Sequence, residues 1–214
     1  MFEQLQYWAQ RWGWRSEGVE LKQLQEAGRR GARIGVFQDA GRTEWWQPED
    51  KLPDTWLPLT HWSEPADVDA LILITDRLLP TSRLSMTAIL RPRTLTLGIT
   101  GPDTGDVEEL QEAVYEVCEA HGWAVNSLTA VATVQGDAGT ALFEEWAERR
   151  EIPLLAYPPA RLSILPGTAQ VKVEDNTAWH TQVVAMLAAG VSHCVVPATR
   201  CGAWCLALAR RRTG

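Results

Sequence analysis

Leu95-Thr-Leu-Gly-Ile-Thr-Gly-Pro-Asp-Thr-Gly-Asp-Val-Glu-Glu-Leu110 decides how this chain is read. It opens as an apolar run with β-branched residues, the pattern of a buried strand. Gly98, Gly101, Pro102 and Gly105 then break it, and Asp106, Val107, Glu108 and Glu109 restart it as a helix with an acidic first turn. A strand, a glycine-bearing turn and a helix form a βα unit. Its loop falls outside the carboxyl end of the strand, where α/β domains commonly bind ligands.

The turn is not a nucleotide phosphate loop. A Walker loop needs Lys-Ser or Lys-Thr after its last glycine, whereas Asp106-Val107 stands there and would repel phosphate. The glycine spacing also fails the dinucleotide-binding pattern. Two readings stay open: a structural turn, or a turn offering N–H groups and the hydroxyls of Thr100 and Thr104 to a ligand.

Working outward, Ala70-Leu-Ile-Leu-Ile-Thr75 is too short for a helix and continuously apolar, as in parallel sheets. Residues 2–14 and 18–31 read as helices, and 33–38 as a strand with Thr43-Glu-Trp-Trp46 pairing back as a hairpin. Prolines 48, 53, 58 and 65 limit the next stretch to short extended pieces. After residue 94 the alternation is regular. A strand over 94–99 is followed by a helix over 106–122, a strand over 127–134 and the turn Gln135-Gly-Asp-Ala-Gly139. A helix over 140–150 and a strand over 153–157 come next. A helix over 179–189 then leads to strands at 193–197 and 203–209, joined by residues 198–202. The expectation is an α/β protein of two small modules, residues 1–93 and 94–214. The second is a mixed, mostly parallel sheet flanked by helices.

The 214 residues carry a net charge of −7, which argues against nucleic acid as the main partner. No apolar run is long enough for a membrane span, and no signal peptide is evident, so a cytoplasmic location is expected. The four cysteines (118, 194, 201 and 205) read as reduced thiols filling apolar space rather than as a zinc site. The four histidines are scattered, and no Gly-x-Ser-x-Gly elbow exists. Seven of the 11 tryptophans fall in the first 62 residues, where they read as core and interface filling, with ring stacking on a planar ligand as the alternative. Arg77, Arg91, Arg93, Lys172 and Arg200 lie near predicted strand ends and loops, where an anion could be held if they converged.

Taken together these pieces resemble the cobalamin biosynthesis protein CbiG family, the cobalt-precorrin 5A hydrolases, and its small relative CobE. The resemblance is carried by Leu97-Gly-Ile-Thr-Gly101 with its acidic helix, Ala130-Val-Ala-Thr-Val134 and Ile152-Pro-Leu-Leu-Ala-Tyr157. The closing Ala188-Ala-Gly190, Cys194-Val-Val-Pro197, Gly202 and Ala207-Leu-Ala-Arg210 extend it. Ala70-Leu-Ile-Leu-Ile-Thr-Asp-Arg77 and Leu90-Arg-Pro-Arg-Thr-Leu-Thr-Leu-Gly98 resemble the family's central region. The resemblance implies hydrolytic opening of a ring lactone on an anionic tetrapyrrole, with release of acetaldehyde. It implies Asp103 or Asp76 as base, the turn amides from Thr100 to Thr104 serving the oxyanion, with Thr104 among the catalytic residues, and Gly98, Thr100 and Gly101 facing the ligand. Arg77, Arg93 and Arg200 would hold its carboxylates. No cofactor is expected on the protein itself, since any cobalt belongs to the substrate. Implied partners are the cobalt-precorrin intermediate and a separately encoded amino-terminal domain or other enzymes of the pathway. The chain departs from the family at four points. Thr100 and Gly101 replace Gly-Cys, the turn 135–139 replaces a lysine and a glutamate, Ala198 replaces a lysine, and the amino-terminal domain's motif is missing. A non-catalytic carrier or accessory subunit is therefore the alternative function.

Overall fold

The computed structural model describes residues 2–45, 53–62, 67–79, 86–162 and 176–211. The chain divides into two compact units, Met1–Thr94 and Leu95–Arg211, each with its own α/β layers.

In the first unit, helices α1 (Phe2–Arg11) and α2 (Leu21–Arg29) accompany strands β1 (Arg15–Gly18), β2 (Ile34–Gln38), β3 (Trp56–Leu59), β4 (Ala70–Ile74) and β5 (Thr87–Arg91). The strand order is β1-β5-β4-β2-β3. Strands β2 to β5 are mutually parallel, and β1 closes one edge antiparallel to β5. The continuous apolar run of β4 is explained by its central place, since all five residues are buried. Ile34, Val36, Ile72, Ile74 and Leu90 pack with Leu5, Trp14, Leu24, Trp45 and Trp56, while Phe37, Val68, Leu71 and Leu73 form the opposite cluster.

One local expectation fails in this unit, and one strand is not foreshadowed by the sequence. The hairpin from residues 33–38 to Trp46 does not form, because both edges of β2 are occupied by the parallel strands β3 and β4. Residues 44–45 turn instead, and the buried Trp45 indole donates to Gln38 Oε1 at 2.9 Å. Trp46 lies outside the described residues. Strand β1, Arg-Ser-Glu-Gly, has no apolar alternation to betray it; it is an edge strand with polar side chains.

The second unit begins at β6 (Leu95–Thr100) and continues through α3 (Val107–Ala120), a 3₁₀ turn at Val125–Ser127, β7 (Leu128–Val134), α4 (Thr140–Arg149) and β8 (Leu154–Tyr157). After the short α5 (Pro159–Leu162) come α6 (Asn176–Ala189), β9 (Val196–Cys201) and β10 (Trp204–Arg210). The order is β8-β7-β6-β10-β9. Strands β6, β7 and β8 run parallel; β10 is antiparallel to β6, and β9 to β10.

The period of two in these strands sorts their side chains onto two faces. Leu95, Leu97, Ile99, Val131, Leu206 and Leu208 meet Val107, Leu110, Val114 and Val117 of α3 and Phe143 and Trp146 of α4. Helix α3 starts where Asp106 Oδ1 accepts the Glu109 N–H at 2.8 Å, and Glu108 and Glu109 complement the helix dipole. It stops at Gly122, whose φ of +71° allows the Trp123 N–H to return to Cys118 O at 2.8 Å.

The other face is made of small residues: Gly98, Ala132, Ala207 and Ala209. Helix α6 lies on it through Thr181, Val184, Ala185 and Ala188. A Cβ at Gly98 would stand 2.1 Å from Thr181 O and 2.9 Å from Ala185 Cβ. The expected loop 198–202 is mostly strand, because Thr199 and Arg200 pair with Leu206 and Cys205. The turn shrinks to Gly202-Ala203, with Gly202 at φ +58°.

Candidate functional site

The carboxyl ends of the neighbouring parallel strands β6 and β7, together with the first turns of α6, enclose a hollow of about 170 Å³. Thr100 ends β6 on the α6 face. Its hydroxyl lies 2.5 Å from that of Thr181, which donates to Thr177 O at 2.8 Å. The Thr181 proton is thus committed to Thr177, so Thr100 donates to Thr181 and turns its own oxygen lone pairs toward the hollow.

The turn after β7 supplies Asp137. Gly136 adopts φ +84°, and Asp137 Oδ1 accepts N–H groups from Gly139 at 3.1 Å and Gly101 at 3.4 Å. Gly139 also donates to Gly101 O at 3.1 Å, which ties the two turns together. No side chain fits at Gly139, where a Cβ would stand 2.4 Å from the Phe143 ring. The turn from Gly101 therefore does not offer that N–H to a ligand; Asp137 holds it.

His180, on the second turn of α6, lines the same hollow with Thr100, Asp137 and Thr177. Trp179 sits beside it, with ring centroids 5.2 Å apart. Burial pushes the Asp137 carboxyl above its ordinary range, opposed by the Gly139 and Gly101 N–H groups and by His180. Burial holds the His180 imidazole below its ordinary 6.5, opposed by the Asp137 charge. At neutral pH the imidazole is therefore mostly unprotonated and able to take a proton.

A second hollow, about 420 Å³, lies on the α3 face and is lined by Thr104, Glu109, Glu112, Glu116, Cys201 and Trp204. Cys201 Sγ donates to Glu116 Oε2 at 3.3 Å, and burial with that contact pushes the thiol up. Burial likewise pushes Cys118 to about 12 and Cys194 to about 11, so these thiols stay protonated and weakly nucleophilic. Among the described residues, no group of three or more His, Cys, Asp or Glu side chains is placed to hold a metal ion. Nor is any helix among them long and apolar enough to cross a membrane.

The residues singled out from sequence fall in several places. Thr100 lines the α6-face hollow, while Gly98 serves the packing of α6 and Gly101 the approach of Trp204, whose Cδ1 would stand 2.7 Å from a Cβ there. Asp103 is exposed in the turn, and Thr104 is exposed on the rim of the α3-face hollow. Arg200 is exposed on β9 in register with Cys205, which is itself in register with Thr100. In the first unit, Asp76 is fully buried and accepts the Thr94 hydroxyl at 2.5 Å. Arg77 faces Asp39 at 3.9 Å, and Arg93 donates to Gly13 O at 2.7 Å. Arg91 is buried against Glu17, and Lys172 lies outside the described residues. Asp137 and His180 were not singled out. The available signal was topological: the turn after a parallel strand adjacent to β6, and a histidine near the start of the following long helix.

The chain belongs to the cobalamin synthesis G C-terminus family, whose model matches residues 95–209, just over half of the chain. Among solved structures it is similar to a cobalamin biosynthesis protein G homolog from Sulfolobus solfataricus, at 12% identity and a TM-score of 0.45. That match covers 91% of this chain, which spans 57% of the Sulfolobus protein. It is also similar to cobalamin biosynthesis protein chiG from Agrobacterium tumefaciens, at 20% identity and a TM-score of 0.45, over 55% of this chain and 98% of that one. CobE, a protein of the cobalamin biosynthetic pathway, matches at 20% identity and a TM-score of 0.45, over 56% of this chain and 94% of its own. No curated protein matches the chain in sequence.

Proposed function

We propose that this member of a cobalamin synthesis family acts on an anionic, cobalt-carrying tetrapyrrole and hydrolyses a ring lactone with release of acetaldehyde. The observation that carries the reading is the placement of His180 and the carboxyl of Asp137, with Thr100, in one hollow at the ends of parallel strands. At about 170 Å³ the hollow is smaller than the roughly 300–1,000 Å³ that encloses a whole drug-sized ligand. It suits one peripheral substituent, with the macrocycle outside.

In this scheme a water molecule donates one hydrogen bond to Thr100 Oγ1 and the other to His180. The imidazole takes the water proton as the oxygen attacks the lactone carbonyl. Asp137 stabilises the imidazolium, which returns its proton to the departing alkoxide as the ring C–O bond breaks; the products are an alcohol and a carboxylic acid, whose proton passes to solvent. His180, unprotonated again, then takes the alcohol O–H proton as the C–C bond breaks; acetaldehyde leaves, and the C–C electron pair returns to the macrocycle, which takes up a proton from solvent.

The test is acetaldehyde release from a lactone-bearing cobalt-precorrin, by the chain alone and with a separately supplied amino-terminal domain. His180→Asn is expected to lower release by about 10²-fold or more, the lower end of general-base contributions. Because His180 titrates below 6.5, release should stay level near neutrality and decline only on further acidification. Asp103→Asn is expected to leave turnover intact; its loss there, with His180→Asn active, would move the base to the exposed turn. Tight binding with no acetaldehyde under either condition would replace the hydrolase by a carrier.

A further inference from the structure

We infer that Thr181 sets the hydrogen-bond polarity of the α6-face hollow, making its Thr100 wall a subsite for a hydrogen-bond donor: an ammonium, an amide N–H, a hydroxyl or water. Three observations carry it. First, the threonines form a chain with one direction. Thr181 is fully buried and Thr100 nearly so, which keeps solvent from offering their protons another partner. Thr181 Oγ1 donates to Thr177 O at 2.8 Å, the carbonyl one helical turn earlier, so its proton is held inside α6. The 2.5 Å contact between the two hydroxyls then runs from Thr100 to Thr181. Second, Thr100 lines the hollow, and with its proton turned away it meets a ligand as an acceptor. Third, the neighbouring wall has the same polarity. Asp137 lines the hollow, and its Oδ1 draws in the Gly101 and Gly139 N–H groups.

That polarity sorts what can sit against Thr100. A group bearing N–H or O–H finds an acceptor there, with the Asp137 carboxyl close by in the same hollow. A carbonyl or carboxylate oxygen in the same place loses its water and gains no donor from Thr100, which is costly in a confined site. Thr181 has no exposed surface and touches no ligand; it acts through Thr100 and is a positioning residue. In the reading above, the donor is the attacking water, an assignment that rests on that reading. Thr100 then holds the water by one O–H, and the lactone carbonyl lies elsewhere in the hollow. The polarity itself requires no turnover.

Titration of the full isotope-labelled chain by NMR tests it with two small probes: methylammonium, which only donates, and dimethyl sulfoxide, which only accepts. Both are followed at the main-chain amides of Gly136 and Asp137 and at the His180 ring. Thr181→Val keeps the side chain's shape and every charge, but frees the Thr100 proton to turn into the hollow. It should weaken methylammonium about threefold or more and strengthen dimethyl sulfoxide by a similar factor, the worth of about one net hydrogen bond. Thr181→Ser retains the hydroxyl and should match the parent chain for both probes. Thr100→Val should weaken methylammonium with no gain for dimethyl sulfoxide. The proposal is overturned if Thr181→Val changes neither probe by as much as twofold. Loss of both probes together would also overturn it, since that marks a displaced helix, as would a parent chain that does not bind methylammonium. With the lactone substrate, Thr181→Val should lower kcat while leaving KM within twofold, because the water and not the substrate loses its partner. Thr181→Ser should restore kcat. Opposite changes in the two probes without acetaldehyde from the parent would support the polarity and remove the hydrolase. Acetaldehyde release without those changes would do the reverse.

Discussion

Replacing Gly98 by alanine adds one methyl group at the point where α6 comes nearest the sheet. The new Cβ would stand 2.1 Å from Thr181 O and 3.1 Å from Ala185 N, both main-chain atoms, so no side-chain rotation can relieve it. Ordinary contact begins near 3.4 Å, so helix and strand must separate by more than 1 Å. A gap of 0.5–1 Å already forfeits about a quarter to a half of each van der Waals contact. The loss is shared by the neighbouring Ala185, Ala188, Ala207 and Ala209, which pack across the same seam. Overpacking of this kind costs about 1–3 kcal/mol, against about 0.4–1 kcal/mol gained because alanine restricts the unfolded chain. A net loss of about 1–2 kcal/mol corresponds to roughly 2–8 °C in Tm for a chain of this size. Gly122→Ala is the comparison: φ is +71° there, but nothing lies within 4 Å of a Cβ. It should cost only the left-handed strain of about 1–2 kcal/mol. Thermal unfolding followed by circular dichroism reads both. Gly98→Ala melting within 1 °C of the parent chain would refute the close seam, and with it the reading of Gly98 as a packing residue. Since α6 also carries His180, the same variant should weaken any activity of the hollow.

Arg91→Met tests the first unit. Its guanidinium donates twice to Glu17 Oε2, at 2.8 and 3.0 Å, and to Arg77 O at 2.6 Å. Leaving those acceptors without donors should cost about 3 kcal/mol in urea unfolding, whereas Glu17→Gln, at a partly exposed position, should cost about 1 kcal/mol; equal small losses would contradict a buried ion pair. Asp137→Asn keeps an oxygen acceptor for Gly139 but removes the charge. Because burial raises the folded-state pKa of Asp137 above its ordinary 3.8, the folded form binds the proton more tightly than the unfolded one. The stability this contributes is present below pH 3.8 and lost as pH rises through the folded value. Asp137→Asn should therefore unfold at a higher urea concentration than the parent at pH 7 and match it near pH 3, and a variant less stable at pH 7 would show that its hydrogen bonds outweigh desolvation.

Much of the fold was legible because its causes are local. The apolar run of β4 and the 3–4 spacing of Val107, Leu110, Val114 and Val117 each encode one element, whatever its neighbours do. Asp106 and Gly122 bracket α3 in the same way. Pairing is not local. Nothing in residues 34–46 records that β3 and β4 already fill both sides of β2, so the local sequence favours a hairpin that the sheet overrules. Strand β9 lies three to four residues later than residues 193–197 suggest for a similar reason, as its pairing with β10 carries Thr199 and Arg200 into the ladder.

The site divides along the same line. Sequence alone determined that a glycine-bearing turn follows a buried strand at residues 100–105, that Thr100 stands at its start, and that its family resemblance points to cobalamin synthesis. Only the tertiary structure decided what Thr100 faces. Asp137 lies 37 positions further along the chain and His180 lies 80 positions further, and neither has a spacing that signals the other. They meet because β6 and β7 are parallel neighbours and because Gly98 lets α6 settle on that face. Their shifted protonation has the same origin, since desolvation belongs to the folded environment and leaves no mark in the order of residues.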